Sequence, residues 1–199
     1  MNTSSSYKPH QQSNTTQWLI AAFLLAILLL TRGGYVTHVQ DASWTVFFLV
    51  GFYLRNYLGL PVLMLSAIAI DFAMIAARGG HQDYYLTPSY LFIIPAYSAL
   101  WLAGRFVANR YSESLKGLIT FIGAAVLGIV ACDLISSGGF YWMSASVVEL
   151  SMSEFFSRVT EFLPLALKST MLYLSVVAVL HMAFIQARKF TSSEQTHSS

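Results

Sequence analysis

The chain has 199 residues, and its 11 basic and 9 acidic side chains make up 10% of the sequence, where a soluble domain typically carries about 25%. Hydrophobic residues account for 56%, and the mean hydropathy is +0.59. A soluble fold of this size would leave many large apolar side chains in water. This composition excludes a disordered chain, a disulfide scaffold and a basic surface for nucleic acid. It predicts an integral membrane protein in contact with the lipid bilayer.

The apolar residues form continuous runs, which favours helices over a β-barrel and therefore an all-α fold. A spanning helix needs about 20 apolar residues and rarely fewer than about 17. The first two runs are short, so re-entrant or interfacial segments are the alternative for them. We expect a six-helix transmembrane domain at 17–187, between polar tails at 1–16 and 188–199. The six runs are Gln17–Thr31, Trp44–Tyr57, Leu60–Ala77, Ser89–Ala108, Leu115–Ser136 and Phe162–Gln186.

The basic residues predict which side of the membrane each connection faces. With six spans both termini share one side, which holds seven basic residues, and the opposite side holds four. The side richer in Lys and Arg is normally cytoplasmic, so we expect both termini there. The seven are Lys8, Arg55, Arg105, Arg110, Lys116, Arg188 and Lys189, and the four are Arg32, Arg78, Arg158 and Lys168.

Three long outer loops follow from this topology, and their polar and aromatic side chains are typical of a place where a ligand is held. Gly-Gly pairs at 33–34, 79–80 and 138–139 are expected to end the three helices that lead into them. The last loop continues into an amphipathic segment that begins with the capping pattern of Ser151 and Glu154. The alternative is that the loops only cover helix ends. The candidate binding residues are His38, Asp41, Trp44, His81, Asp83, Tyr84, Tyr85, Tyr90, Tyr141 and Trp142.

Two carboxyl groups lie inside predicted spans. A carboxylate such as Asp71 costs at least about 2.5 kcal/mol to insert, so it is either a functional group or the partner of a hydrogen bond from a neighbouring helix. Asp133 is expected nearer the wet outer end of its helix. Beside it, Cys132 is the single cysteine and is expected to pack as a small apolar residue.

No P-loop, nucleophile elbow, His-Glu-x-x-His or paired-cysteine motif occurs in the sequence, so we expect no enzymatic activity. An ATP-driven transporter would need a separate subunit as its motor. In the first run, Ala22 and Ala26 place small residues on one helix face, which permits close approach of another helix.

Two stretches carry a resemblance to a known family. The chain from Asp41 to Leu54 (DASWTVFFLVGFYL), and the segments TPSY at 87–90, PAY at 95–97 and ALWLAGR at 99–105, are similar to the BtuM-like cobalamin transport family. Six helices in about 200 residues and the small-residue face of the first helix also resemble the S-components, the substrate-binding subunits of energy-coupling factor (ECF) vitamin transporters. The resemblance covers the central half of the chain and is loose in the first run and after Lys116.

The resemblance implies an S-component-like bundle in the bacterial cytoplasmic (inner) membrane, with cobalamin (vitamin B12) or a related corrinoid bound in an outward-facing cavity. The corrinoid is the transported substrate, and no tightly bound cofactor is expected. The resemblance also implies that Ala22 and Ala26 form the docking face for an ECF transmembrane/ATPase module. The alternative is that the protein transports its substrate without such a module. Some members ligate cobalt through a cysteine where this chain has Tyr85, so His81 is our candidate axial cobalt ligand.

Three other functions stay open, one of which is a structural or assembly subunit that binds no ligand. The chain could be an S-component for another vitamin, or a small polytopic membrane enzyme that uses Asp71, His81 or Asp83 as acid and base. The enzyme requires those groups to lie within hydrogen-bond distance of one another.

Overall fold

The computed structural model describes residues 12–33, 40–54, 56–77, 88–143 and 151–186, together with the helical backbone of 187–197. Every regular element within those ranges is helical, which confirms the all-α prediction. The elements are α1 (Asn14–Arg32), α2 (Ser43–Tyr53), α3 (Gly59–Ala77), a short 3-10 helix (Pro88–Phe92), α4 (Ile93–Asn109), α5 (Leu115–Met143) and α6 (Met152–His197).

Consecutive helices run in alternating directions between two ends of the bundle. At one end, which we call the Arg32 end, the last residue of α1 lies beside the first residue of α2, since Arg32 donates to Ser43. At the other, the His181 end, the Gln17 side chain of α1 donates to the Tyr53 carbonyl of α2. His181 of α6 lies there as well, against the Tyr53 ring. The beginning of α1 and the later part of α6 therefore share one end of the bundle.

Helix α2 is the short central helix of this arrangement. It has 11 residues, and nine of them, from Ser43 to Phe52, are buried. It contacts α1, α3, α4, α5 and α6, so lipid reaches little of it and its sequence is apolar on every side. Within the described residues, five helices are long and apolar enough to cross a membrane, and α2 is not one of them by length. The prediction of a membrane protein with several helices is confirmed. The finer prediction of six full spans is not confirmed by the helix lengths.

Helices α2 and α4 cross with their backbones in contact. At Gly51 an added Cβ would overlap the carbonyl oxygen of Trp101, and at Gly104 it would overlap the carbonyl oxygen of Phe48. Only glycine lets two helices approach so closely. Around this crossing the rings of Phe47 and Tyr97 lie 4.4 Å apart. The crossing fixes α4 against the buried central helix.

The prediction that Gly138-Gly139 ends a helix is wrong, because α5 runs on to Met143. Gly139 stays helical and brings α5 against the 3-10 helix, where a Cβ would overlap the Phe92 ring. Ser151 caps α6 as predicted, since its hydroxyl accepts from the Glu154 amide at 3.1 Å. The amphipathic segment is the first part of α6 itself. Helix α6 continues past residue 188 to His197, so most of the polar C-terminal segment is helical.

Large apolar side chains cover much of the outer surface. Trp18, Leu65 and Leu127 are 75%, 67% and 71% exposed, and similar residues occur on every span-length helix. An apolar surface of this extent is far larger than a soluble monomer exposes. The lipid bilayer is the solvent that matches it.

Candidate functional site

The Arg32 end of the bundle is organised around one buried ion pair. Arg32 donates through Nε to Oδ1 of Asp71 at 2.7 Å and through Nη2 to Oδ2 at 2.5 Å. The two side chains are 10% and 5% exposed. Two parallel bonds match the planar guanidinium to the carboxylate. The pair joins the last residue of α1 to α3.

The remaining guanidinium nitrogen of Arg32 reaches two further helices. Nη1 donates to the Ser43 hydroxyl at 3.0 Å, to the Tyr97 hydroxyl at 2.7 Å and to Asp41 Oδ2 at 3.2 Å. Asp41 in turn accepts from the backbone N–H of Ser43 at 2.9 Å, which satisfies a donor in the first turn of α2 as a capping residue does. Arg32 therefore links α1 to α2 and α4.

Tyr90 completes the set, which we call the Arg32 network: Arg32, Asp41, Ser43, Asp71, Tyr90 and Tyr97. The Tyr90 hydroxyl donates to Asp71 Oδ2 at 2.6 Å, so both carboxylate oxygens accept hydrogen bonds. The sequence left Asp71 as either a functional group or the partner of a hydrogen bond from a neighbouring helix. The structure shows the hydrogen bonds to neighbouring elements. A buried charge is tolerated when it is paired and hydrogen-bonded in this way.

The network stands next to two segments that carry predicted binding residues. The described chain ends at Gly33, one residue after Arg32, and resumes at Gln40, one residue before Asp41. It ends again at Ala77 and resumes at Pro88, two residues before Tyr90. Five of the predicted residues lie outside the described residues and remain predictions: His38, His81, Asp83, Tyr84 and Tyr85.

The other predicted binding residues differ in accessibility. Asp41 has an exposed carboxylate and Trp44 is half-buried. Trp142 is 46% exposed and packs edge-on against Tyr141 at 5.1 Å. Tyr90 and Tyr141 are buried, and in this conformation their hydroxyls serve protein partners. Trp44, Asp41 and Trp142 are thus the described candidates that a ligand could reach directly.

Tyr141 closes the contact between α5 and α6. Its hydroxyl donates to the Ser151 carbonyl at 2.9 Å and accepts from the Ser151 amide at 2.8 Å. Its ring packs with Phe155 and Val159 in a small cluster separate from the main core. We call these residues the Tyr141 clasp. The clasp holds the start of α6 on the end of α5.

Residues Cys132 and Asp133 are both buried. Cys132 is fully inside the main core, as predicted for a small packing residue. Asp133 is 4% exposed within the bundle. It lies ten residues before the end of α5, which continues past Gly139 to Met143.

A second polar cluster at the His181 end was missed by the sequence analysis. His181 Nδ1 lies 2.8 Å from the Tyr53 hydroxyl, and Nε2 lies 3.0 Å from the Tyr111 hydroxyl. Phe52 packs against the imidazole edge. A cavity of about 440 Å³ adjoins this cluster between α2, α4, α5 and α6. A lone histidine in an apolar run was the available signal, because an intramembrane imidazole needs polar partners.

The proposed docking face lies on the exterior of α1. Ala22 and Ala26 are exposed, as are Trp18 and Phe23 around them. Ala22 also lines a cavity of about 730 Å³ between the first half of α1 and the beginning of α3. The small residues are therefore free of packing inside this chain.

The chain matches no protein-family model, and it has no significant match among curated proteins.

Proposed function

We propose that the chain is a membrane uptake protein that binds cobalamin or a related corrinoid in an outward-facing cavity at the Arg32 end and moves it into the cytoplasm. In this proposal the protein lies in the bacterial inner membrane with both termini in the cytoplasm. The observation that carries the proposal is the Arg32 network, which joins five helical elements (α1, α2, α3, the 3-10 helix and α4) next in sequence to two segments rich in aromatic and imidazole groups.

The network supplies a rigid floor for a binding site. Arg32, Asp71 and Tyr97 come from three different helices, so the helix ends that flank residues 34–39 and 78–87 are held at fixed separations. A site built on rigid elements loses less conformational entropy when a ligand binds. A corrinoid is a large flat ligand with amide side chains, and Trp and Tyr offer both stacking area and hydrogen bonds to it.

The stretches that carry the family resemblance are also structural neighbours. Residues 41–54 form α2 with its preceding turn, and residues 95–105 lie in α4. These two helices cross at Gly51 and Gly104. Similar segments in two helices that pack together are consistent with one inherited structural unit, and this supports the proposal.

Release into the cytoplasm would follow either an ECF transmembrane/ATPase module or a solitary route. Ala22 and Ala26 would dock that module, since they are exposed and small. Replacing both with Leu tests the docking. If the module drives uptake, the variant keeps corrinoid binding and loses transport, whereas a solitary transporter keeps both.

The enzyme alternative is weakened by the hydrogen bonds of Asp71. Both of its oxygens accept from Arg32 or Tyr90, so the carboxylate is held as an ion-pair partner and is poorly placed to take a proton from a substrate. The Arg32 network would support the binding site of an S-component for a different vitamin in the same way. That alternative differs from the proposal only in the ligand.

The test is to express the protein with a supply of corrinoid and to record the absorption spectrum of the purified protein. The proposal predicts a bound corrinoid and a changed spectrum in His81→Ala if the imidazole ligates cobalt. An unchanged spectrum in that variant removes His81 as a ligand and leaves uptake standing. Purification without corrinoid, together with binding of another vitamin from a panel, selects the S-component alternative.

A further inference from the structure

Asp133 is a carboxyl group inside the bundle whose hydrogen-bonding capacity is not filled. It is 4% exposed and lies about two-thirds of the way along α5. Its Oδ2 atom has no hydrogen-bond partner among the residues that the structure describes. An ionised carboxylate at such a place would need further donors or a cation beside it.

Asp71 shows what an ionised carboxylate receives in this bundle. It is as deeply buried as Asp133, and it accepts two bonds from Arg32 and one from Tyr90. Asp133 has neither a guanidinium nor an ammonium within ion-pair distance in the described part of the chain. The two intramembrane carboxyl groups therefore stand in opposite electrostatic surroundings.

Among the described residues, no cation on the elements packed against α5 lies within ion-pair distance of Asp133: Arg105 of α4 donates to the Leu54 carbonyl at 2.7 Å, and Arg158 of α6 pairs with Glu154. Tyr97 of α4 and Tyr90 of the 3-10 helix use their hydroxyls in the Arg32 network. Lys168 of α6 is exposed on the outside of the bundle, and the only titratable group of α2 is Tyr53, at the opposite end. On α5 itself the neighbouring Cys132 is a thiol in the core, which would repel a negative charge if it were ionised.

We propose that Asp133 is a proton-binding site, which carries a proton while the bundle is packed around it and exchanges that proton with the outside solution when α5 and α6 separate. A neutral carboxylic acid can be buried with one weakly satisfied oxygen at far lower cost than a carboxylate. Ionisable groups at such positions in membrane proteins commonly mark proton pathways.

In this proposal the Tyr141 clasp is the barrier to that exchange. Tyr141 lies eight residues beyond Asp133 on α5, which is about 12 Å along the helix axis. Its two hydrogen bonds to Ser151 hold the start of α6 on the last turn of α5. Opening the clasp would let water reach the carboxyl group.

Infrared spectroscopy of the purified full chain at neutral pH tests the protonation directly. The wild-type protein should show the C=O stretch of a protonated carboxylic acid, which shifts to lower frequency in D₂O. The band should disappear in Asp133→Asn and move in Asp133→Glu, which keeps an acid at the site. Glu161→Gln, which removes an exposed carboxylate, should leave the band unchanged.

The rate of the deuterium shift tests the clasp. Tyr141→Phe keeps the ring and removes the hydroxyl that makes both bonds to Ser151. We expect the Asp133 band to exchange roughly three- to tenfold faster, because the net free energy lost with this hydroxyl is of the order of one hydrogen bond. Tyr173→Phe, which loses a bond to the Gln40 carbonyl, is the matched control and should exchange at the wild-type rate.

Two results would overturn the proposal. Loss of an ionised carboxylate band in Asp133→Asn, with no change in acid bands, would show that Asp133 is charged. Equal exchange rates in wild type and Tyr141→Phe would show that the clasp does not limit proton exchange at Asp133. Neither measurement involves a vitamin, so failure of the uptake proposal would leave both results interpretable.

Discussion

Arg32 at the end of α1 and Asp71 in α3 form a two-bond ion pair inside the bundle, 39 residues apart in sequence. Each side chain alone would be costly at this depth, and together they satisfy one another. Tyr90, Tyr97 and Ser43 extend the pair to the neighbouring elements. This contact is the main polar link that positions the helix ends at the proposed mouth.

Breaking the pair from one side should be strongly destabilising. Asp71→Leu leaves the buried guanidinium with only the exposed carboxylate of Asp41 as a charged partner and should reduce the free energy of unfolding by about 3–5 kcal/mol. The double variant with Arg32→Met removes both charges and should recover most of that loss. Thermal unfolding in detergent, arranged as a double-mutant cycle, measures the coupling. Additive losses in the double variant would contradict the structural pairing.

The crossing of α2 and α4 should not tolerate one added methyl group. In Gly104→Ala the Cβ meets the Phe48 carbonyl oxygen, which belongs to backbone and cannot rotate away. We expect a loss of at least about 2–3 kcal/mol, as for overpacked cores. The control is Gly123→Ala in α5, where nothing lies within 4 Å of the added atom. It should be neutral or slightly stabilising, and a similar loss in both variants would refute the close crossing.

The His181 cluster should stabilise the opposite end of the bundle. Tyr53→Phe removes one hydrogen bond to the imidazole and should cost about 1 kcal/mol. His181→Leu should cost more, because two phenols lose their shared partner. Hydrogen exchange of α6 amides near residue 181 provides the local readout. Equal effects of the two substitutions would mean that Tyr111 does not use the imidazole.

Exposed aromatics at the two ends should differ in their effect on corrinoid binding. Trp142 lies at the Arg32 end of α5 and is 46% exposed, so Trp142→Ala should weaken binding by about tenfold, the order expected for one aromatic contact. Trp18→Ala is the matched control, since Trp18 is 75% exposed and lies at the His181 end. Titration of the purified variants with cyanocobalamin measures both affinities, and equal affinities would move the site away from Trp142.

Much of the helix placement follows from the sequence because lipid imposes continuous apolar runs. The predicted starts and ends of α3 and α4 lie within a few residues of those observed. The runs could not show that α2 is buried on every side or that α5 continues through Gly139. Both depend on contacts with other helices: α2 is enclosed by five of them, and Gly139 makes room for the Phe92 ring.

The sequence shows that polar side chains within apolar runs need partners, but it does not show which residues those partners are. An intramembrane carboxylate such as Asp71 requires a partner, and the sequence offers several cations without indicating that Arg32 is the one. The same holds for His181, whose partners Tyr53 and Tyr111 come from distant parts of the chain. Nor does the sequence indicate that Asp133 is buried within the bundle.

Equilibrium binding of cyanocobalamin to the purified wild-type protein tests the central claim most directly. The account predicts one corrinoid bound per chain, with a dissociation constant in the micromolar range or below, and competition by related corrinoids over other vitamins. Absence of corrinoid binding to folded protein, judged by an intact thermal transition, would contradict it.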